Sequence, residues 1–145
     1  MANQIYIEDI REGTEFPPLS KEPIDRVRLV KYAGASGDFN PLHYDEDFAR
    51  QAGMPNGCIA HGMLAMGFVG QCVSDWAGPR GRVKNLGVRF TSTTEMKDTV
   101  TCRGKVVRLW KEGGENLAEC EVSSETQRGN VTTKGKAVVA LPSRS

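Results

Sequence analysis

The sequence has no Cys-x-x-Cys pair, since its four cysteines, Cys58, Cys72, Cys102 and Cys120, stand far apart. That spacing argues against a zinc ribbon or a thioredoxin-type motif and predicts free, mostly buried thiols in a reducing compartment. No charge of one sign prevails. The formal net charge is +1 over 145 residues, which excludes a broad electrostatic pull toward nucleic acid or an acidic membrane. No long apolar run is present either. The longest apolar region, Cys58 to Val73, is interrupted by His61 and Gln71 and is too short and too polar to span a bilayer. Met1 to Gly13 carries Glu8, Asp9, Arg11 and Glu12 instead of the basic-then-apolar layout of a signal peptide, so the cytoplasm is the expected location. Repeats, low-complexity tracts and linkers are lacking as well. The expectation is one domain over residues 1–145, large enough to fold without disulfides or metals.

What is there falls into two styles. The first half carries helix signals. Asp25 can cap a helix running to about Ser36, with Val27, Val30 and Lys31 at helix-like offsets. Pro41 interrupts the following stretch. Asp45 can cap a short helix, Glu46 to Gln51, that stops at Gly53. The main helix is predicted from His61 or Gly62 to Trp76, with Gly78-Pro79 beyond it. Its apolar residues surround it, which predicts burial on all sides, and Ala65, Gly67 and Gly70 are small enough for close backbone approach. The second half reads as strands at 84–94, 99–109, 117–126 and 131–141, rich in Val and Thr and separated by turn-like 111–115 and 127–130. Short links imply antiparallel neighbours, and an earlier strand near Phe16 to Ile24 completes the sheet. The predicted class is α+β, a long helix wrapped by a curved antiparallel sheet in the hot-dog manner.

The chemistry concentrates in Gly37-Asp38-Phe39-Asn40-Pro41-Leu42-His43. Glycine and proline shape a fixed loop, and Asp, Asn and His supply polar tips. An Asp and a His can share one water, the carboxylate accepting one of its protons and the imidazole exchanging the other. Histidine titrates near neutral pH, at about 6.5 unperturbed. Asn40 can orient either group or the water. The same residues are also ordinary turn formers, with side chains that bond local backbone. A second block, Ile59-Ala60-His61-Gly62-Met63-Leu64, opens the main helix. A helix N-terminus offers unpaired N–H groups and partial positive charge, which suit a developing oxyanion. Gly62 is the candidate donor because no side chain blocks its N–H, although it also serves tight packing. His61 can turn toward the loop or simply fill space, and the structural role is the one expected.

Together these blocks resemble the MaoC-like, (R)-specific enoyl-CoA hydratase family. Its signature places an aromatic and small residues before Gly-Asp-x-Asn-Pro-x-His, followed after five residues by Ala or Ser. Tyr32, Ser36, Gly37, Asp38, Asn40, Pro41, His43 and Ala49 fit it, and the His61-Gly62-Met63 block and the Val88-Arg89-Phe90 strand fit downstream. The resemblance covers essentially the whole chain. It implies a hot-dog fold, assembly into a homodimer or higher oligomer, and a site near a subunit interface. It further implies that Asp38 and His43 bind the catalytic water, with Asn40 supporting. The Gly62 N–H polarises the thioester carbonyl, and water adds to a trans-2-enoyl thioester to give the (3R)-hydroxyacyl product, or leaves it. No metal or redox cofactor is implied. Gly67 departs from short-chain relatives that carry a serine there, which puts their wider hydrogen-bond network in doubt. The run Ala60 to Gly67 and Trp76 are similar to the catalytic subunit of the actinobacterial (3R)-hydroxyacyl-ACP dehydratases, which pairs with a hot-dog partner.

Two other readings share the fold. A hot-dog thioesterase attacks the thioester carbon instead of the alkene, and the Gly-Asp-x-Asn-Pro-x-His loop speaks against it. A non-catalytic acyl-binding or partner subunit needs neither Asp38 nor His43. Phe39 and Met63 are the substrate-lining candidates, with Met54, Met66 and Phe68 as further ones, all equally suited to the core. Arg80, Arg82, Lys84, Arg89 and Lys97 suit CoA phosphates or an acidic carrier protein, and equally a solvated surface.

Overall fold

The computed structural model describes residues 3–145. Helix α1 (Arg26–Ser36) begins where the Asp25 carboxylate accepts the Arg28 N–H at 2.7 Å. It ends at Gly37, whose φ of 73° turns the chain while its N–H reaches Ala33 O. The helix was placed correctly by sequence, but its buried face is Leu29 and Ala33. Val27 and Val30 are exposed. Helix α2 (Glu46–Gln51) starts as predicted, with Asp45 accepting the Phe48 N–H.

Helix α3 (Gly62–Ala77) is the long central one. Leu64, Ala65, Phe68, Val69, Cys72, Val73 and Trp76 are buried against the sheet. Burial on all sides is not what this chain shows. Met63, Gly67, Gln71, Ser74 and Asp75 form an exposed stripe, and a Cβ at Gly67 would touch nothing within 4 Å. At Gly70 it would meet only the Leu86 side chain, at 3.6 Å.

Five strands, β1 (Leu19–Lys21), β2 (Arg82–Phe90), β3 (Val100–Glu112), β4 (Glu115–Thr126) and β5 (Val131–Leu141), form one antiparallel sheet in the order β1-β3-β4-β5-β2. Strand β1 is shorter than the expected 16–24, because Pro17, Pro18 and Pro23 have no N–H to give a ladder. Strands β3 and β4 run closer to their turn than expected. The connection is only Gly113-Gly114, both with positive φ, as a two-residue hairpin turn of type I′ demands. Strand β2 begins earlier than expected and ends at Phe90. Beyond it the backbone turns away: Thr94 O accepts the Ala60 N–H, and Ile59 bridges Glu95. That exchange ties the end of the sheet to the start of α3.

Two glycines permit the close packing of the sheet. A Cβ at Gly104 would lie 2.2 Å from the ring of Phe16, which stacks on Trp76 at 4.0 Å. A Cβ at Gly135 would lie 2.0 Å from Gly87 O on β2. All four cysteines are free and buried, and burial pushes the Cys102 and Cys120 thiols up to about 12. No helix among the described residues is long and apolar enough to cross a membrane.

Candidate active site

The loop after α1 is built from its own polar tips. Gly37 directs the chain out of the helix. The Asp38 N–H donates to Ser36 Oγ at 3.2 Å, and Asp38 Oδ1 accepts the Asn40 N–H at 3.2 Å. Asn40 Oδ1 accepts the Leu42 N–H and so caps the 3-10 turn Pro41–His43. Asn40 therefore supports Asp38 through its backbone, and its side-chain oxygen is spent on the turn.

The turn delivers His43 to a buried position, 8% exposed. Its Nδ1 lies 2.7 Å from Ile59 O. A carbonyl only accepts, so Nδ1 carries the proton. Nε2 is left facing Asp38 Oδ2 at 3.8 Å. That gap exceeds a direct hydrogen bond and suits a group lying between the two. The Asp38 side chain is half exposed, so the pair opens on one side to solvent.

The segment before α3 is clamped from three directions. Ile59 N–H donates to Leu42 O, Ala60 N–H to Thr94 O, and Cys58 N–H to Glu46 Oε2. His61 is the N-cap of α3, yet its side chain makes no capping bond. The first N–H groups of the helix have no intrahelical acceptor, and their partial positive charge stays available. Gly62 and His43 line the same cavity of about 160 Å³, together with Phe90, Thr132 and Thr133. A Cβ on Gly62 would come within 3.2 Å of the Phe90 ring, so a larger residue there obliges that half-exposed ring to shift.

His61 is only 2% exposed and belongs to the site. Its Nε2 donates to Asp38 O at 3.2 Å, and its ring stacks on His43 with centroids 3.7 Å apart. Tyr32 meets it edge-on. Burial pushes the imidazole below its usual range, the Asp38 carbonyl bond pulls partly the other way, and the neighbouring His43 lowers it further. Among the described residues its Nδ1 is buried without a partner, as is the Thr133 hydroxyl. Asp38, His43 and His61 each place one donor atom within 4.8 Å of the others, a spacing a metal ion can use. Each ring gives one nitrogen to a backbone carbonyl and keeps the other.

Of the residues singled out by sequence, Asp38, His43 and Gly62 converge and Asn40 braces them. Phe39 and Met63, at 62% and 54% exposed, lie on the surface and do not line the cavity at His43. Phe68 and Met54 pack with the core. Arg82 and Lys84 pair with Glu115, and Arg80 lies over the Tyr6 ring. Sequence reasoning missed the cavity roles of Phe90, Thr132 and Thr133, whose strand positions carry no local signal for it.

Known proteins resemble the chain in sequence and in fold. The family model described as MaoC like domain matches residues 11–130. An (R)-specific enoyl-CoA hydratase of Rhodospirillum rubrum is 34% identical over 140 residues, which covers 96% of this chain and 93% of that protein. An (R)-hydratase from A. caviae, involved in PHA biosynthesis, superposes with a TM-score of 0.81 at 29% identity, covering 93% of this chain and 99% of that one. A chain of the ChsH1-ChsH2 complex from Mycobacterium tuberculosis superposes at 0.78 with 27% identity, covering 90% and 98%.

Proposed function

This chain belongs to the MaoC-like domain family and is a hydro-lyase with the hot-dog fold, and from that premise we propose that Asp38 and His43 carry out its (R)-specific hydration of trans-2-enoyl thioesters. The observation that carries this reading is the 3.8 Å gap between Asp38 Oδ2 and His43 Nε2, with Nδ1 tied to Ile59 O. Because Nδ1 is occupied, Nε2 is the ring atom that exchanges protons. A water between the two groups gives one proton to Asp38 as its oxygen bonds to C3 of the enoyl group. The π electrons move toward the thioester, and the charge on its oxygen is met by the Gly62 N–H. Nε2, entering protonated, delivers its proton to C2, and the proton on Asp38 returns across the gap to restore the pair. Dehydration is the same path reversed.

The carrier is CoA or an acyl carrier protein, and the assembly is a homodimer, a higher oligomer, or a heterodimer with a second hot-dog subunit. Two features favour assembly. Strand β2 is a nine-residue edge strand with one side unpaired. Its last residue, Phe90, is exposed, as is Met63 on α3. The whole of residues 1–145 is read as one such domain.

The test is to incubate purified protein with trans-2-enoyl-CoA and with the matching acyl-carrier-protein thioester, following the conjugated double bond and free thiol. Loss of the double bond without thiol release is the expected result. Thiol release identifies a thioesterase, and inertness toward both carriers identifies an acyl-binding or partner subunit.

A further inference from the structure

We propose that His61 is a positioning residue for the Asp38–His43 pair, acting as a neutral imidazole protonated at Nε2 and anchored by a buried water shared with the Thr133 hydroxyl. The inference rests on the reading of Asp38 and His43 given above. A structural role alone requires an apolar ring of suitable size at this place. The observed contacts are more specific. Nε2 donates to the backbone carbonyl of Asp38 itself, and the ring face lies on the ring of His43. One side chain thus fixes the backbone of one member of the pair and the plane of the other. Two carbonyls orient the stacked rings, Ile59 O holding a proton on His43 Nδ1 and Asp38 O one on His61 Nε2.

The far side of the His61 ring is unfinished. A ring that donates from Nε2 and stays neutral presents a bare acceptor at Nδ1. That atom is fully buried and has no protein partner, and neither has the hydroxyl of Thr133, 0% exposed. Both residues line the same 160 Å³ cavity. Leaving a buried polar atom unpaired costs about 1–3 kcal/mol; the cavity is lined mostly by apolar surface, and these two atoms supply the polar partners a buried water needs there. A water donating to Nδ1 and bonding Thr133 satisfies both. It also disfavours protonation of Nδ1, since an N–H there has to displace the water's donated proton. The groups facing the His61 ring are Asp38, His43 and Tyr32.

The chain has only two histidines, so histidine-labelled protein gives two imidazoles to assign by nitrogen NMR. The expected spectrum at neutral pH shows His61 neutral with its proton on Nε2, and Thr133→Val shifts the Nδ1 signal. A His61 proton on Nδ1, or an Nδ1 signal untouched by Thr133→Val, overturns the water-anchored tautomer. For positioning, His61→Phe keeps the stack and removes the donor. With trans-2-enoyl-CoA, kcat is expected to fall roughly 100-fold with KM changed less than about three-fold. His61→Gln, with an amide N–H in reach of the Asp38 carbonyl, recovers part of the loss. A folded His61→Phe protein with kcat within about two-fold of wild type overturns the proposal. Should His61→Phe not fold, His61→Gln and His61→Met decide: both lose the stack and only Gln keeps an N–H for the Asp38 carbonyl, so a higher kcat in His61→Gln is expected and equal kcat in the two overturns the proposal. Absence of any hydration by the wild type counts against the catalytic reading, while the nitrogen spectrum still decides the tautomer.

Discussion

The rings of His43 and His61 stack with centroids 3.7 Å apart and planes at 22°, and each ring donates to a different backbone carbonyl from a different nitrogen. Two cations at that spacing repel by about 4 kcal/mol at an effective dielectric of 20. The stack therefore disfavours a second proton, and burial of His61 adds to the cost of placing one there.

Removing either member of the pair is expected to stop hydration without unfolding the chain. Asp38→Asn keeps an acceptor for the Asn40 N–H, and His43→Asn keeps an amide donor for Ile59 O while deleting Nε2. Loss of kcat by roughly 100-fold to 10,000-fold is the expected outcome for each. Asp38 is half exposed, so Asp38→Asn leaves the unfolding free energy within about 0.5 kcal/mol. Full activity in Asp38→Asn would rule out the mechanism.

Gly62→Ala tests the electrophilic half. The added methyl meets the Phe90 ring at 3.2 Å, and kcat is expected to drop about 10-fold or more. The Gly62→Ala, Phe90→Ala double variant separates two causes. If the loss persists there, access to the amide is at stake; if it vanishes, the clash displaced the helix start.

Stability should depend on pH through His61. Its folded-state value lies below that of the unfolded chain, so the unfolded state binds the proton first as pH falls. The contribution is fully present above about 6.5 and is lost as pH drops through the lowered folded value. Melting temperatures from pH 8 to 5 should fall in wild type, and less steeply in His61→Phe. Identical slopes would show that His61 does not titrate abnormally.

Gly135→Ala is expected to cost several kcal/mol. Its Cβ would lie 2.0 Å from Gly87 O and 2.7 Å from Val88 Cα, both backbone atoms that cannot move without parting β2 from β5. Overpacking costs about 1–3 kcal/mol even where side chains can adjust. Chemical denaturation measures the loss, and light scattering measures whether the displaced β2 edge also weakens self-association.

Chelation tests the metal alternative at Asp38, His43 and His61. The proposed proton transfers run between Asp38 Oδ2 and His43 Nε2 without a metal, so prolonged dialysis against EDTA should leave activity unchanged. Loss of activity restored by a divalent cation would reassign the three as ligands.

The sequence by itself determined the local facts. Asp25 and Asp45 announced two helix starts because capping is read within a few residues. Gly113-Gly114 announced a tight hairpin for the same reason, and the Gly37-to-His43 block announced the loop that sets Asp38 beside His43. The tertiary structure alone decided what depends on distant chain segments. It chose Leu29 over Val27 as the buried face of α1 and opened one stripe of α3. It ended β2 at Phe90 because Thr94 found its backbone partner at Ala60. Above all it moved His61 from space-filling residue to neighbour of both Asp38 and His43. That placement rests on a hydrogen bond across 23 residues and a ring stack across 18, contacts that no local pattern encodes.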